Sequence, residues 1–302
     1  MAGGITLDSK LIALRTGMHA NFLNGLGSRP TIYEQLCTII TSTTAKEMYS
    51  GFNSLSAGMR LWTGDREIKG FREYSYEVSN QTFETTFGVF REHIEDDILG
   101  MYSTMSQQMG IDATLHPDKL LFQLIKTGAS ALGYDGVPFF STTHPLFGGA
   151  TQSNYISGGP TPFYIAAMGG SFKPFIFQWR KRPEFVQKDK PTDDNVFMRG
   201  DYYYGVDMRC AAGFLLPQLC VRCDKALSVD SYGEAYEMLQ NMKTYQGDPG
   251  NAMPTHLIVP PSLQRKAREI LNSEHVIEQP GNVLAYNPWQ GTAALVVAPY
   301  LA

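Results

Sequence analysis

Charge is thin in this sequence: Asp, Glu, Lys and Arg make up 18% of its 302 residues, below the roughly 25% of ordinary globular chains. A surface short of charge is one that something covers. Either the core is large, or neighbouring subunits bury part of the exterior, since interface cores are depleted in charge and enriched in aromatics and Met. The counts of Tyr 16, Phe 17 and Met 13 lean toward the second reading. The formal net charge of −4 excludes a basic nucleic-acid binder by bulk electrostatics, because phosphate affinity comes from clustered Lys and Arg. Four cysteines, Cys37, Cys210, Cys220 and Cys223, are too few for a disulfide scaffold; a cytosolic product with reduced thiols is expected. No stretch approaches the ~20 apolar residues of a membrane helix, and Met1-Ala2-Gly3-Gly4 is not a basic leader start.

What is present reads as an α+β chain without internal repeats. Leu7, Leu11, Ile12, Leu14, Met18, Phe22 and Leu26 fall at near-helical spacing, and Gly25, Gly27 and Pro30 end the run. Such a helix packs on its own domain or reaches a neighbour; periodicity does not separate the two. The β-branched run around Cys37–Thr44 favours a strand. Residues 48–91 read as two extended arms about the turn Trp62-Thr63-Gly64-Asp65-Arg66, with Phe71, Tyr74 and Tyr76 on the second arm. A ribbon this aromatic has a face to cover. Ile94, Ile98, Met101, Tyr102, Met105 and Met109 mark a long helix from Glu92, acidic in its first turns as the helix dipole favours. Pro117, after a weakening Gly110, predicts a break between Asp112 and Asp118.

Further on, residues 146–161 are rich in Gly, Ser, Thr and Asn and read as a mobile surface loop. Alternation places a strand at Phe175–Arg180, a charged stretch at 181–194, and strands over 202–221 broken by Gly213 and Pro217. A helix is expected at 230–245, a buried strand at 256–260, a helix opened by Pro261, and a last core strand near 293–299.

Three constellations suggest chemistry. Cys220-Val221-Arg222-Cys223 lacks the second ligand pair a zinc site needs. Asp135, Ser141 and His144 suggest nucleophile chemistry, but no G-x-S-x-G elbow is present. The acidic cluster 93–97 lacks the paired histidines of a metalloprotease helix. No phosphate-binding loop or dinucleotide fingerprint occurs. No catalytic residue, metal or cofactor is therefore assigned.

One ordered set of motifs goes further. Pro30-Thr31-Ile32-Tyr33-Glu34-Gln35, Trp62-Thr63-Gly64-Asp65-Arg66, Ile94-Glu95-Asp96-Asp97, His116-Pro117 and Tyr134-Asp135-Gly136-Val137-Pro138-Phe139-Phe140 with His144-Pro145 come first. Lys173-Pro174-Phe175-Ile176-Phe177-Gln178, Tyr204-Gly205-Val206-Asp207-Met208-Arg209, Leu257-Ile258-Val259-Pro260-Pro261 and Asn287-Pro288-Trp289-Gln290-Gly291 follow. In this order the chain resembles the Mu-like phage major head subunit family. It departs from the family pattern at Tyr164–Gly170, where a tryptophan with apolar neighbours would be expected.

The resemblance implies the tailed-phage capsid fold, the Hong Kong 97 fold. An N-terminal arm would occupy 1–45 and an extended loop 46–91. Spine helix and peripheral domain would span 92–228, an axial domain 229–284, and a strand returning to the core 285–302. The implied function is a major head protein that self-assembles, as pentamers and hexamers, into an icosahedral shell. That shell encloses double-stranded DNA without reading its sequence. Scaffold, portal and decoration proteins are the implied further partners, the virion is the implied location, assembly would take place in the host cytoplasm, and no membrane is involved. Trp62, Asp65, Arg66, Phe71, Tyr74 and Tyr76 are the expected inter-subunit contacts. The alternative is an enzyme or metal-binding protein using His144 and the 93–97 cluster.

Overall fold

The computed structural model describes residues 7–50, 75–95, 99–190, 192–278 and 283–302. Helix α1 (Leu7–Gly25) is followed by a single turn α2 (Tyr33–Leu36) and strand β1 (Cys37–Thr41). Strands β2 (Lys46–Ser50) and β3 (Ser75–Ser79) pair antiparallel, and β4 (Gln81–Phe90) leads into the short α3 (Arg91–Glu95) and the long α4 (Leu99–Thr127). Two-residue strands β5 (His144–Pro145), β6 (Thr151–Gln152) and β7 (Tyr155–Ile156) precede β8 (Phe163–Ala166). Next come β9 (Phe175–Lys188), α5 (Asp194–Arg199), β10 (Asp201–Phe214), β11 (Cys220–Cys223), α6 (Val229–Gln240) and β12 (His256–Val259). The chain closes with α7 (Gln264–Asn272), the hairpin β13 (His275–Glu278) and β14 (Val283–Tyr286), and β15 (Ala294–Val297).

Two sheets organise these elements. The first has the order β1-β9-β10-β4, with β10 antiparallel to both neighbours and β1 parallel to β9. The second has the order β15-β12-β8-β11-β7. One core joins the C-terminal half of α4 (Leu121, Phe122, Ile125) to Phe175 and Phe177 of the first sheet and to Tyr164 and Ile258 of the second. The opposite face of the second sheet is covered by α6 and α7 through Tyr232, Leu239, Ala267 and Ile270. Residues 229–284 thus supply two helices and β12 to a layer whose other strands come from 155–223 and 294–297. Of the segment that departs from the family pattern, Tyr164, Ile165 and Ala166 belong to β8, which is buried throughout at the centre of that sheet.

Helix α1 lies on α4 of its own chain, burying Leu14, Met18 and Phe22 at four-residue spacing. The approach is close enough for Ser106 Oγ to donate to the Met18 carbonyl at 2.6 Å and for Gly27 N–H to donate to Thr114 Oγ1 at 2.8 Å. A Cβ on Gly25 would lie 2.1 Å from the Gln107 carbonyl oxygen, and one on Gly110 would lie 2.3 Å from that of Phe22. Gly110 is therefore a contact point between two backbones and not a weak turn.

The expected break between Asp112 and Asp118 does not occur: α4 runs unbroken through Pro117. A proline inside a helix costs about 3 kcal/mol. Against this stand Leu121, Phe122 and Ile125, each 0% exposed and each contributing about 1.5–3 kcal/mol by burial. Both sides of Pro117 are also pinned. The Gly110 contact holds one, and the Asp118 carboxylate holds the other by accepting the Ile32 and Tyr33 amides at 2.7–3.0 Å.

Three further expectations are corrected. The charged stretch from Lys181 belongs to β9, which continues to Lys188 through Pro183; proline is tolerated there because this part of β9 is an edge. Gly213 does not break β10. It makes room for the β2–β3 ladder, since a Cβ would meet Val78 Cγ2 at 2.6 Å. The 146–161 segment is not simply a surface loop, for it holds β6 and β7 and buries Asn154 and Ile156.

The base of the ribbon is built by Glu47. Its Oε1 accepts from Ser42 Oγ at 2.8 Å and from the Thr43 and Thr44 amides at 3.0 and 3.2 Å. The Ser42 bond and then those amides lower its pKa to about 2. A group depressed on folding contributes stability above its unfolded pKa and loses it as pH falls toward the folded one. Amide exchange at Thr43 and Thr44 should therefore stay slow above pH 4.5 and quicken, relative to intrinsic rates, as pH falls toward 2. Glu47→Gln should abolish that dependence, and an unchanged profile in the variant would remove Glu47 from this role.

Candidate functional site

The polar centre with the most built geometry is His144. It is 2% exposed, and its Nδ1 lies 2.6 Å from Asp135 Oδ2. Its Nε2 lies 3.0 Å from Asn154 Oδ1. The Asn154 amide nitrogen reaches the carbonyls of Phe139, Pro217 and Cys220 at 2.8–3.2 Å. The Asn154 oxygen is thus the acceptor, and it also takes the Ser141 N–H at 2.9 Å. Both ring nitrogens of His144 are therefore occupied, Nδ1 by the Asp135 carboxyl group and Nε2 by the Asn154 amide oxygen. Nε2 is spent on an amide oxygen, while Ser141 Oγ contacts Thr143 Oγ1 at 3.1 Å. A histidine acting as base needs a free nitrogen facing the nucleophile. This geometry is a clasp that ties the 133–156 segment to β11.

The 93–97 cluster is only partly within the described residues, since Asp96 and Asp97 lie outside them. His93 Nδ1 sits 2.6 Å from the Tyr102 hydroxyl. Among the described residues no group of three His, Cys, Asp or Glu side chains is placed to hold a metal. Cys220 and Cys223 are the two ends of β11. Their side chains enter opposite cores, Cys220 with Phe175 and Ile258, Cys223 with Tyr232 and Leu257. One ion cannot take both. Burial pushes both thiols up, and Cys210 to about 12. All four cysteines are free and buried, so a thiol reagent should label none in the native subunit at pH 8 and all four in denaturant. Rapid native labelling would contradict the packing.

Of the six expected contact residues, Trp62, Asp65, Arg66, Phe71 and Tyr74 lie outside the described residues. Tyr76 is placed, and it packs inside its own subunit. Its ring meets the cores beneath β9 and β10, and its hydroxyl accepts the Phe214 N–H at 3.1 Å. Burial raises its pKa, opposed by that bond. The alternating pattern that singled out Tyr76 marked a face covered from within.

Several large apolar side chains are left exposed. Phe197 and Met198 on α5 are 81% and 75% exposed, and Phe90, whose partner Asp201 opens β10, is 53% exposed. These lie at one end of the first sheet. A long helix under a four-stranded sheet, a second sheet with its own helices and an apolar sheet end describe this subunit.

Comparison with known proteins identifies this architecture. The solved subunit in the procapsid of bacteriophage JBD30 superposes with a TM-score of 0.82 at 34% identity, covering 96% of this chain and 98% of that one. The fold is that of a tailed-phage capsid protein, α+β, as expected. The family model of the Mu-like prophage major head subunit gpT matches residues 11–301. The major capsid protein of Escherichia phage Mu is 33% identical over 98% of this chain and its own full length. The FluMu major head subunit of Haemophilus influenzae is 31% identical over 87% of this chain and 88% of its own. The chain belongs to the Mu-like major head subunit family, and it is a major head protein of a tailed phage.

Proposed function

We propose that copies of this subunit close into an icosahedral head as pentamers and hexamers, with double-stranded DNA enclosed and not read. The observation that carries the reading is the match along almost the whole chain to a subunit solved within a procapsid. The net charge of −4 suits a wall that encloses DNA without gripping it. Scaffold, portal and decoration proteins are its further partners, and assembly takes place in the host cytoplasm. The subunit performs no catalysis; the His144 clasp supports this, because its hydrogen bonds are internal.

The ribbon read from the sequence over 48–91 is part of this proposal, with Trp62, Asp65, Arg66, Phe71 and Tyr74 as its contacts to a neighbouring subunit. The β2–β3 ladder supports this placement: Ser50 pairs with Ser75, so the chain leaves and returns at one point. Opposite charges at a contact rim set partner and register more than affinity, and salt screens them within about 8–10 Å. Apolar burial is not screened in this way. Arg66→Glu should therefore give misregistered or unclosed particles from subunits with an unchanged circular dichroism spectrum. Mature shells should keep their light scattering in molar salt. Normal closure by the variant, or shells that dissolve in salt, would overturn this division of labour.

A further inference from the structure

Strand β9 is paired on both sides only over its first part. Strand β1 runs beside it from Phe175 to Trp179, and the Ser42 N–H donates to the Trp179 carbonyl at 2.8 Å. From Arg180 to Lys188 its one lateral partner among the described residues is β10. Among the described residues no second strand pairs with the outer edge of this stretch. Such an edge is a template for another strand.

A cleft of about 620 Å3 opens beside the point where β1 ends, with Arg29, Pro30, Trp179, Arg182 and Pro183 in its walls. Arg182 lies over the Trp179 ring at 5.4 Å. Arg29, Arg180 and Arg182 are exposed, and among the described residues none has a carboxylate partner. Lys181 differs, being held by Asp207 and Glu184 at 2.7 and 2.8 Å. Glu34 also reaches the cleft, and its Oε1 accepts from the Tyr33 hydroxyl at 3.2 Å. The surplus beside this edge is cationic.

We infer that the outer edge of β9 from Arg180 to Lys188, with the adjoining cleft, receives an extended, carboxylate-bearing segment of a second copy of this chain. Backbone hydrogen bonds supply the pairing, and Arg29, Arg180 and Arg182 select a segment with acidic side chains. Pro183 and the register shifts near Asp207 and Arg209 restrict where a strand can pair, which guards the edge against indiscriminate partners. Guarding alone does not require a cleft of this size with the Arg29 and Arg182 guanidinium groups in its walls. Because the contact joins unlike surfaces, repetition around a symmetry axis closes a ring.

The inference rests on the shell reading, and one experiment separates the two. Amide exchange is read at single-residue resolution in assembled shells and in subunits released from them. Strand addition protects alternate amides, so those of 180–188 that point away from β10 should slow by roughly tenfold or more in shells. Uniform protection of the segment, or none, overturns strand addition while leaving the shell reading intact; a chain that forms no particles overturns both. The double variant Arg180→Glu/Arg182→Glu provides the second arm. Its isolated subunit should keep the parent's melting temperature while the assembled fraction falls by about fivefold or more, and lysine at both positions should restore most of the loss. Normal assembly of the glutamate variant would overturn the role given to the arginines.

Discussion

Gly110→Val is expected to lift α1 from α4 and to destabilise the subunit by about 3 kcal/mol or more. The obstruction is backbone on backbone. A first side-chain carbon at Gly110 falls 2.3 Å from the Phe22 carbonyl oxygen and 2.8 Å from the Leu26 nitrogen. No rotamer relieves either clash, so the helices must separate. Separation would expose Met18 and Phe22, now 0% and 1% exposed, and remove the Ser106 bond to Met18. For a chain of this size the loss corresponds to a fall in melting temperature of roughly 5 °C or more. Limited proteolysis should then cut first within α1. Gly17, with nothing within 4 Å of an added Cβ, gives the opposite sign: Gly17→Ala should gain about 0.5–1 kcal/mol from helix propensity. A Gly110→Val subunit that melts with the parent would show that α1 does not pack in this way.

His144→Leu should cost about 2–5 kcal/mol, because it leaves two buried groups, on Asp135 and Asn154, without their partner, at about 1–3 kcal/mol each. The leucine leaves the Asp135 carboxylate, with a side chain 6% exposed, facing no donor across the former 2.6 Å contact. It also strips a donor from Asn154, the residue that joins Ser141, Phe139, Pro217 and Cys220. Asp135→Leu/His144→Leu should recover part of the loss, because the uncompensated carboxylate is gone. Denaturant midpoints of both variants check the ordering. A double variant no better than His144→Leu would mean that the cost lies in the Asn154 network and not in the carboxylate.

Periodicity was a good guide where one face alone is buried. Met18 and Phe22 mark α1, and both are buried against α4. It failed where tertiary contacts override local preference. Pro117 is a helix breaker by itself, but packing on both sides carries the helix across it. Gly110 looked like a weak point because nothing local reveals the opposing Gly25. Asn154, in a segment of loop-like composition, carries five hydrogen bonds to groups from Phe139 to Cys220. An isolated asparagine gives no sequence signal of such a role. His144 and Asp135 stand together in the sequence as candidate chemistry, and they do meet, but nothing in the sequence points to Asn154 as the group that occupies the other ring nitrogen. The open edge of β9 was hidden as well. Alternation reveals which faces are buried, but the end of β1 is needed to show which edge is free.

The central claim is that this chain is the repeating unit of a closed head. Cryo-electron microscopy of particles assembled from the subunit together with its phage's other head proteins tests it most directly. The account predicts a closed icosahedral shell in which the described residues fit the density of every pentamer and hexamer position, with the β2–β3 hairpin leaving toward a neighbour. A chain that stays as single subunits, or that lies outside the shell while another protein fills those positions, would contradict it.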